Sequence, residues 1–137
     1  MSAQYPFDDV KDFMDKFGIP YPERPTLPTA EVMRYRNLFL EEELEELQEA
    51  YDEGNLTKLV DSLIDLVYVA YGTAIFAGVS PVAWRECWDA VHDANMAKRR
   101  AENSGESKRH SSLDVIKPVG WVNPEETIAE ILAYHST

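Results

Sequence analysis

The sequence predicts an all-α fold of five helices, on three observations. Apolar residues recur at helical spacing, strand-like alternation is scarce, and cap residues and prolines punctuate the chain. Its 137 residues are enough for one domain with one moderate core, and neither an internal repeat nor a second domain is visible. The expected organisation is a single domain, residues 1–137. It comprises an N-terminal helix with a proline-rich connection (1–28), a helical core (29–100), and a basic loop with a C-terminal helix (101–137).

Each helix has its own signals. Val10, Phe13, Met14 and Phe17 stand at i, i+3, i+4 and i+7, and Gly18 follows as a stop, which predicts a short first helix. Residues 19–28 hold four prolines and form an extended connection. Thr29 offers an N-cap for a long helix over Ala30–Tyr51, and Asp52-Glu53-Gly54-Asn55 reads as a tight turn. A third helix is expected over Leu56–Ala77. Ser80-Pro81 then starts a fourth, running to Arg100, where Lys98-Arg99-Arg100 suits a helix C-terminus. Residues 101–120 are polar and read as a mobile loop, and Asn123-Pro124-Glu125-Glu126 opens a short final helix.

The composition narrows the function classes. A net charge of -12 argues against coating a nucleic-acid polymer or an anionic membrane, yet it leaves a nucleotide substrate open, because metal ions invert local charge. Cys87 is the only cysteine, so no internal disulfide forms and a reducing compartment fits. Met1-Ser2-Ala3-Gln4 carries no basic region before an apolar stretch, so no signal peptide is expected. The apolar run Leu66–Val79 is shorter than the roughly 20 residues of a membrane span and reads as a core helix. A cytoplasmic location follows as the expectation.

The acidic run Glu41-Glu42-Glu43-Leu44-Glu45-Glu46 is ordinarily a solvated face. Helical geometry, at roughly 100° per residue, divides it. If Leu40, Leu44, Leu47 and Tyr51 mark the core direction, Glu43 lies about 60° from it and Glu46 on the margin. Glu42 is farther out, and Glu41, Glu45 and Glu49 face water. The third helix is apolar nearly all round and is expected to be buried on most sides, but Asp61 and Asp65 interrupt it at i, i+4. A reversal near Gly54 sets Glu46 and Asp61 at one height of an antiparallel hairpin, and Glu43 and Asp65 at a second. Four such carboxylates need either protons or cations between them. Cations would give an all-oxygen site for Mg²⁺ or Mn²⁺. Neither helix contains His, which disfavours zinc and the Glu-x-x-His di-iron pattern.

The fourth helix carries Asn95 and Lys98 on the stripe of Trp84, Trp88 and Val91, an amide and a cation suited to phosphate oxygens. His92, at the edge of that stripe, is expected to be structural or exposed. Lys98, Arg99, Arg100, Lys108, Arg109 and Lys117 are six of the 13 Lys and Arg residues. A basic segment in an acidic chain suits a lid over an anion, or else a solvated linker.

These residues resemble the MazG-like, all-α nucleoside-triphosphate pyrophosphohydrolase superfamily. Glu42-Glu43-Leu44-Glu45-Glu46 matches its Glu-Glu-x-x-Glu motif. Asp65 fits the Asp of its Glu-x-x-Asp motif, with Ser62 at the Glu position and Asp61 one residue earlier. Asn95-Met96-Ala97-Lys98 looks like its later Asn and Lys, and Asp114–Trp121 resembles a phage-encoded subset. The resemblance implies a four-helix bundle core with short N- and C-terminal helices, assembled as a homodimer or homotetramer. It implies hydrolysis of a nucleoside triphosphate between the α- and β-phosphates. Glu43, Glu46, Asp61 and Asp65, with Glu42, would hold two or three Mg²⁺ or Mn²⁺ ions, and Glu43 and Glu46 would be catalytic. Asn95, Lys98, Lys108 and Lys117 would bind phosphates. Phe13, Phe17, Arg34 and Asn37 are the candidate base pocket. Within the phage subset dGTP or GTP is the expected substrate, with dUTP, dCTP or damaged nucleotides as alternatives. A non-enzymatic helical module with an acidic face and the related phosphoribosyl-ATP pyrophosphohydrolase of histidine synthesis are competing readings.

Overall fold

The computed structural model describes residues 4–137. Residues 1–3, on which the reading of a missing signal peptide partly rests, lie outside them. The fold is all-α as expected: α1 (Pro6–Lys16), α2 (Ala30–Asp52), α3 (Leu56–Phe76), α4 (Pro81–Met96) and α5 (Glu125–Tyr134). Two short strands, β1 (Arg99–Arg100) and β2 (Val115–Ile116), complete it. The chain forms two compact units, one ending at Pro81 and one spanning Val82–Thr137.

In the first unit Thr29 caps α2 as the sequence places it, and Asn55, read from the sequence only as part of the turn, caps α3. Thr29 Oγ1 accepts from the Val32 amide at 3.3 Å, and Asn55 Oδ1 accepts from the Lys58 amide at 3.0 Å. α2 and α3 form an antiparallel hairpin through the Gly54 turn, and α1 packs on α3. Phe7, Val10 and Met14 of α1 meet a core that also contains Ala50, Val69 and Ile75. Phe13 and Phe17, which share the predicted apolar face of α1, are exposed instead.

The packed face of α2 differs from the expected one. Arg36, Glu43 and Ala50, spaced by seven residues, are its buried positions, whereas Leu44 and Tyr51 are exposed. The packed face is therefore rotated by about 60° from Leu40, onto Glu43. Nor is α3 buried on most sides. Ser62, Val69, Gly72 and Ile75 are buried, while Leu56, Val60, Leu63, Ile64 and Val67 form an exposed stripe. A thin layer of three helices can cover only one side of an all-apolar helix. By length and composition alone α3 could cross a membrane, but Asp61 and Asp65 lie within it.

Arg36 joins the two long helices. Its Nη2 donates to the Val69 carbonyl at 2.9 Å and its Nε to Thr73 Oγ1 at 3.1 Å, and the guanidinium faces the rings of Tyr35, Phe39 and Phe76. Burial pushes this guanidinium below its ordinary pKa. A Cβ at residue 72 would stand 2.6 Å from Arg36 Nη2, so Gly72 makes room for the arginine. Gly78 is under a stricter demand. Its φ is +72°, and a Cβ there would meet the Arg24 carbonyl oxygen at 2.0 Å. Gly78→Ala should destabilise the fold by about 2 kcal/mol or more, since the left-handed conformation alone costs roughly 1–2 kcal/mol. A thermal melt reads this, and an unchanged midpoint would contradict the packing described.

In the second unit, α4 stops at Met96 rather than at Arg100. The chain beyond it pairs antiparallel with β2, Arg99 opposite Ile116 and Arg100 opposite Val115. Only Ala83 of α4 is buried, and Trp88 and Val91 are exposed, so the expected core stripe of this helix is largely open. His92 is exposed. The segment expected to be a mobile loop is instead built around Asp114. Its carboxylate accepts from Ser107 Oγ at 2.6 Å, Arg109 Nη2 at 2.8 Å and the Val115 amide at 2.9 Å. The Arg109 and Ser107 hydrogen bonds, then that of Val115, hold the Asp114 pKa down to about 2. Arg99 forms a two-pronged ion pair with Glu106, both contacts at 3.2 Å. Asn123 Oδ1 accepts from the Glu125 amide at α5, and His135 Nε2 lies 2.7 Å from Glu86 Oε1, tying α5 to α4.

Candidate metal centre and phosphate-binding residues

The α2–α3 hairpin brings three carboxylates together. One oxygen each from Glu43, Glu46 and Asp65 lies within 4.8 Å of the others. Glu43 and Glu46 are one helical turn apart on α2, and Asp65 faces them from α3. Asp61 stands outside the triad and is exposed, as is Glu42. Ser62, at the position where the motif carries Glu, is the buried neighbour. The inward position on this turn of α3 thus belongs to residue 62, and Asp61 is turned about 100° away from it.

The electrostatics of the triad are unfavourable without a cation. Glu43 is only 8 % exposed, and its Oε2 is the one buried side-chain polar atom among the described residues without a hydrogen-bond partner. Burial first, then the charges of Glu46 and Asp65, a hydrogen bond with Glu46 and the charge of Glu42 raise the Glu43 pKa to about 7. Asp65 is also raised, by burial and then by Asp61. An orphaned carboxylate oxygen, facing two more carboxylates and no Lys or Arg, has the donor chemistry of a hard divalent cation. These residues could hold such an ion.

Beside this hairpin the Phe13 and Phe17 rings lie tilted at 58°, 4.9 Å between centroids, and Phe13 meets the Tyr68 ring edge-on at 5.5 Å. Tyr68 lies one turn beyond Asp65 on α3 and was not among the expected residues. Its signal was present in its spacing from Asp65, but the ring contact is tertiary. Arg34 and Asn37 are exposed on α2, on neither side of a described contact with Phe13 or Phe17.

In the second unit Asn95 is exposed near the end of α4, and Lys98 follows the helix rather than continuing it. Lys98 Nζ and Lys117 Nζ converge on one indole, 5.2 and 4.8 Å from the Trp121 ring centroid. Trp121 Nε1 donates to the Ala94 carbonyl at 2.7 Å. The indole also borders a groove of about 470 Å³ lined by Ala90, Asp93 and Thr127, among others. Lys108 is exposed. Sequence reading named both lysines but missed Trp121, which joins them.

Residues 10–95 match the family model described as Phosphoribosyl-ATP pyrophosphohydrolase. No curated protein matches the chain. The match spans well over half of the sequence and includes all three carboxylates of the triad. The chain is therefore a member of the phosphoribosyl-ATP pyrophosphohydrolase family, all-α pyrophosphohydrolases that act on a nucleotide phosphoanhydride.

Proposed function

We propose that this protein is a cytoplasmic, divalent-metal-dependent nucleoside triphosphate pyrophosphohydrolase that converts a (d)NTP and water to a (d)NMP and pyrophosphate. The observation that carries this reading is the unpartnered Glu43 Oε2 inside the Glu43–Glu46–Asp65 triad. When bound there, Mg²⁺ or Mn²⁺ would supply Lewis acidity and neutralise phosphate charge. Glu43 and Asp65 would hold the ion from facing helices, and the exposed Asp61 and Glu42, outside the triad, would serve further ions. Glu46 is the solvent-facing member of the triad and takes the proton of the attacking water. The water oxygen bonds to the α-phosphorus, the bond from that phosphorus to the bridging oxygen breaks, and pyrophosphate leaves. Asn95, Lys98, Lys108 and Lys117 bind the phosphates, and Phe13, Phe17, Arg34 and Asn37 contact the base. The family match extends from the first unit into the start of the second and ends at residue 95, and we treat 1–137 as one functional domain.

A phage-type member acting on dGTP or GTP is the substrate reading favoured by the Asp114–Trp121 segment, with dUTP, dCTP or damaged nucleotides as alternatives. The matched family's own name favours a second reading, phosphoribosyl-ATP as the substrate. Both break the same bond. The exposed α3 stripe supports a homodimer or homotetramer, since a second copy would cover apolar surface that this chain leaves open. The family match weighs against a non-enzymatic acidic module.

The deciding experiment is pyrophosphate release from a panel of NTPs, dNTPs and phosphoribosyl-ATP with Mg²⁺ or Mn²⁺. Release from dGTP or GTP above the rest supports the proposal. Release from phosphoribosyl-ATP alone selects the second reading. No turnover of any nucleotide with either metal would sink both, and release of single phosphate would reject the proposed bond.

A further inference from the structure

The antiparallel register of β1 and β2 has a consequence at its open end. Arg99 opposes Ile116, and the same register carried one position past the end of the ladder would set Lys98 opposite Lys117. Like charges directly across a ladder repel. Among the described residues neither lysine has an ion-pair partner, although acids pair with Arg99 and Arg109 close by in the same hairpin. Both ammonium groups rest against Trp121. A ring face attracts cations, and Trp121 draws both ammonium groups to one place, where an anion between them would relieve their mutual repulsion. The indole is itself pinned, because its Nε1–H bond to the Ala94 carbonyl ties residue 121 to the last turn of α4, directly before Asn95.

We infer that Trp121 is a positioning residue that holds Lys98 and Lys117 together as one dication for the pyrophosphate moiety of the substrate. The inference rests on the phosphate-binding reading given above. Two segments separated in sequence meet on this ring: the end of α4 with Lys98, and the turn after β2 that carries Lys117 and Trp121 itself. Trp121 need not touch the substrate. Its part is to remove the freedom of two long side chains before an anion arrives, so that less is lost on binding.

A mutant cycle tests it by calorimetric titration of inorganic pyrophosphate into the full chain. Lys98→Met/Lys117→Met should weaken binding about tenfold or more, and Trp121→Leu should weaken it by a similar factor. Trp121→Phe, which keeps a ring face, should recover most of that loss. On the double-lysine background Trp121→Leu should weaken binding no further. In turnover, Trp121→Leu should raise KM with kcat little changed. Equal losses from Trp121→Leu on both backgrounds would overturn the inference, as would a lowered melting temperature with pyrophosphate affinity unchanged. Should Trp121→Leu fail to fold, Trp121→Met enters the same cycle. Pyrophosphate binding that follows the expected cycle without turnover of any nucleotide would sink the reaction and keep the role of Trp121. Turnover with pyrophosphate affinity unmoved by the lysine changes would do the reverse.

Discussion

Glu43→Gln is expected to lower pyrophosphate release by roughly 10³-fold while leaving the chain folded. The carboxylate is the buried member of the triad and its Oε2 has no protein partner, so an amide removes a ligand without disturbing a hydrogen bond made by that oxygen. Lewis-acid stabilisation of transition-state charge is worth several kcal/mol, and about 4 kcal/mol corresponds to a thousandfold in rate. Asp65→Asn removes the ligand contributed by α3 and should act in the same direction. Glu45→Gln, on the exposed side of α2, is the matched control and should turn over substrate at the parent rate. Single-turnover rates for the three variants, with circular dichroism to verify folding, decide the matter. Near-parent activity of Glu43→Gln would mean that the triad is not the metal centre.

The second large effect is on stability, and its sign follows from the raised pKa of Glu43. The folded chain keeps that proton up to about pH 7, whereas an unfolded glutamate releases it near the ordinary 4.5. Between those values the folded state binds more protons than the unfolded state, so stability falls as pH rises through the window. Asp65, also raised, adds to the same trend. The span from 4.5 to about 7 corresponds to about 3 kcal/mol at most for Glu43. In metal-free buffer the melting temperature should therefore drop by roughly 5–10 °C between pH 5 and pH 8. Glu43→Gln should flatten this dependence and melt higher than the parent at pH 8. Millimolar Mg²⁺ or Mn²⁺ should restore the parent at pH 8 and do little for the variant. A melting temperature that rises with pH in the absence of metal would contradict the buried charge cluster.

Much of the first unit was legible because its signals are local. Thr29 and Pro81 mark helix starts by chemistry confined to a few residues, and the structure places the starts there, whereas Asn55, read as a turn residue, also caps α3. The facing of the helices was harder. Leu44 and Tyr51 pointed to a core that this chain does not build, because an apolar stripe records surface that needs covering and not which molecule covers it. The same ambiguity made α3 look buried all round. Glu43 was recognised as inward-facing, yet its depth emerged only from the Arg36–Glu43–Ala50 line. The hairpin after α4 escaped notice because two-residue strands are too short to show alternation. Its stability comes from Asp114 reaching back to Ser107 and Arg109. Lys98 and Lys117 could be named from sequence, but their meeting on Trp121 could not, since it depends on a strand register.

The Gly54 turn gives the triad an unusual place in the order of folding. All three acids sit on one hairpin between Glu43 and Asp65, so the loop that must close to bring them together is short and its entropy cost small. Contacts of this kind form early. If the hairpin closes early, the charge repulsion is met during folding rather than at its end. A divalent ion bound there as the hairpin closes would then speed folding as well as slow unfolding, which refolding rates with and without Mg²⁺ would register.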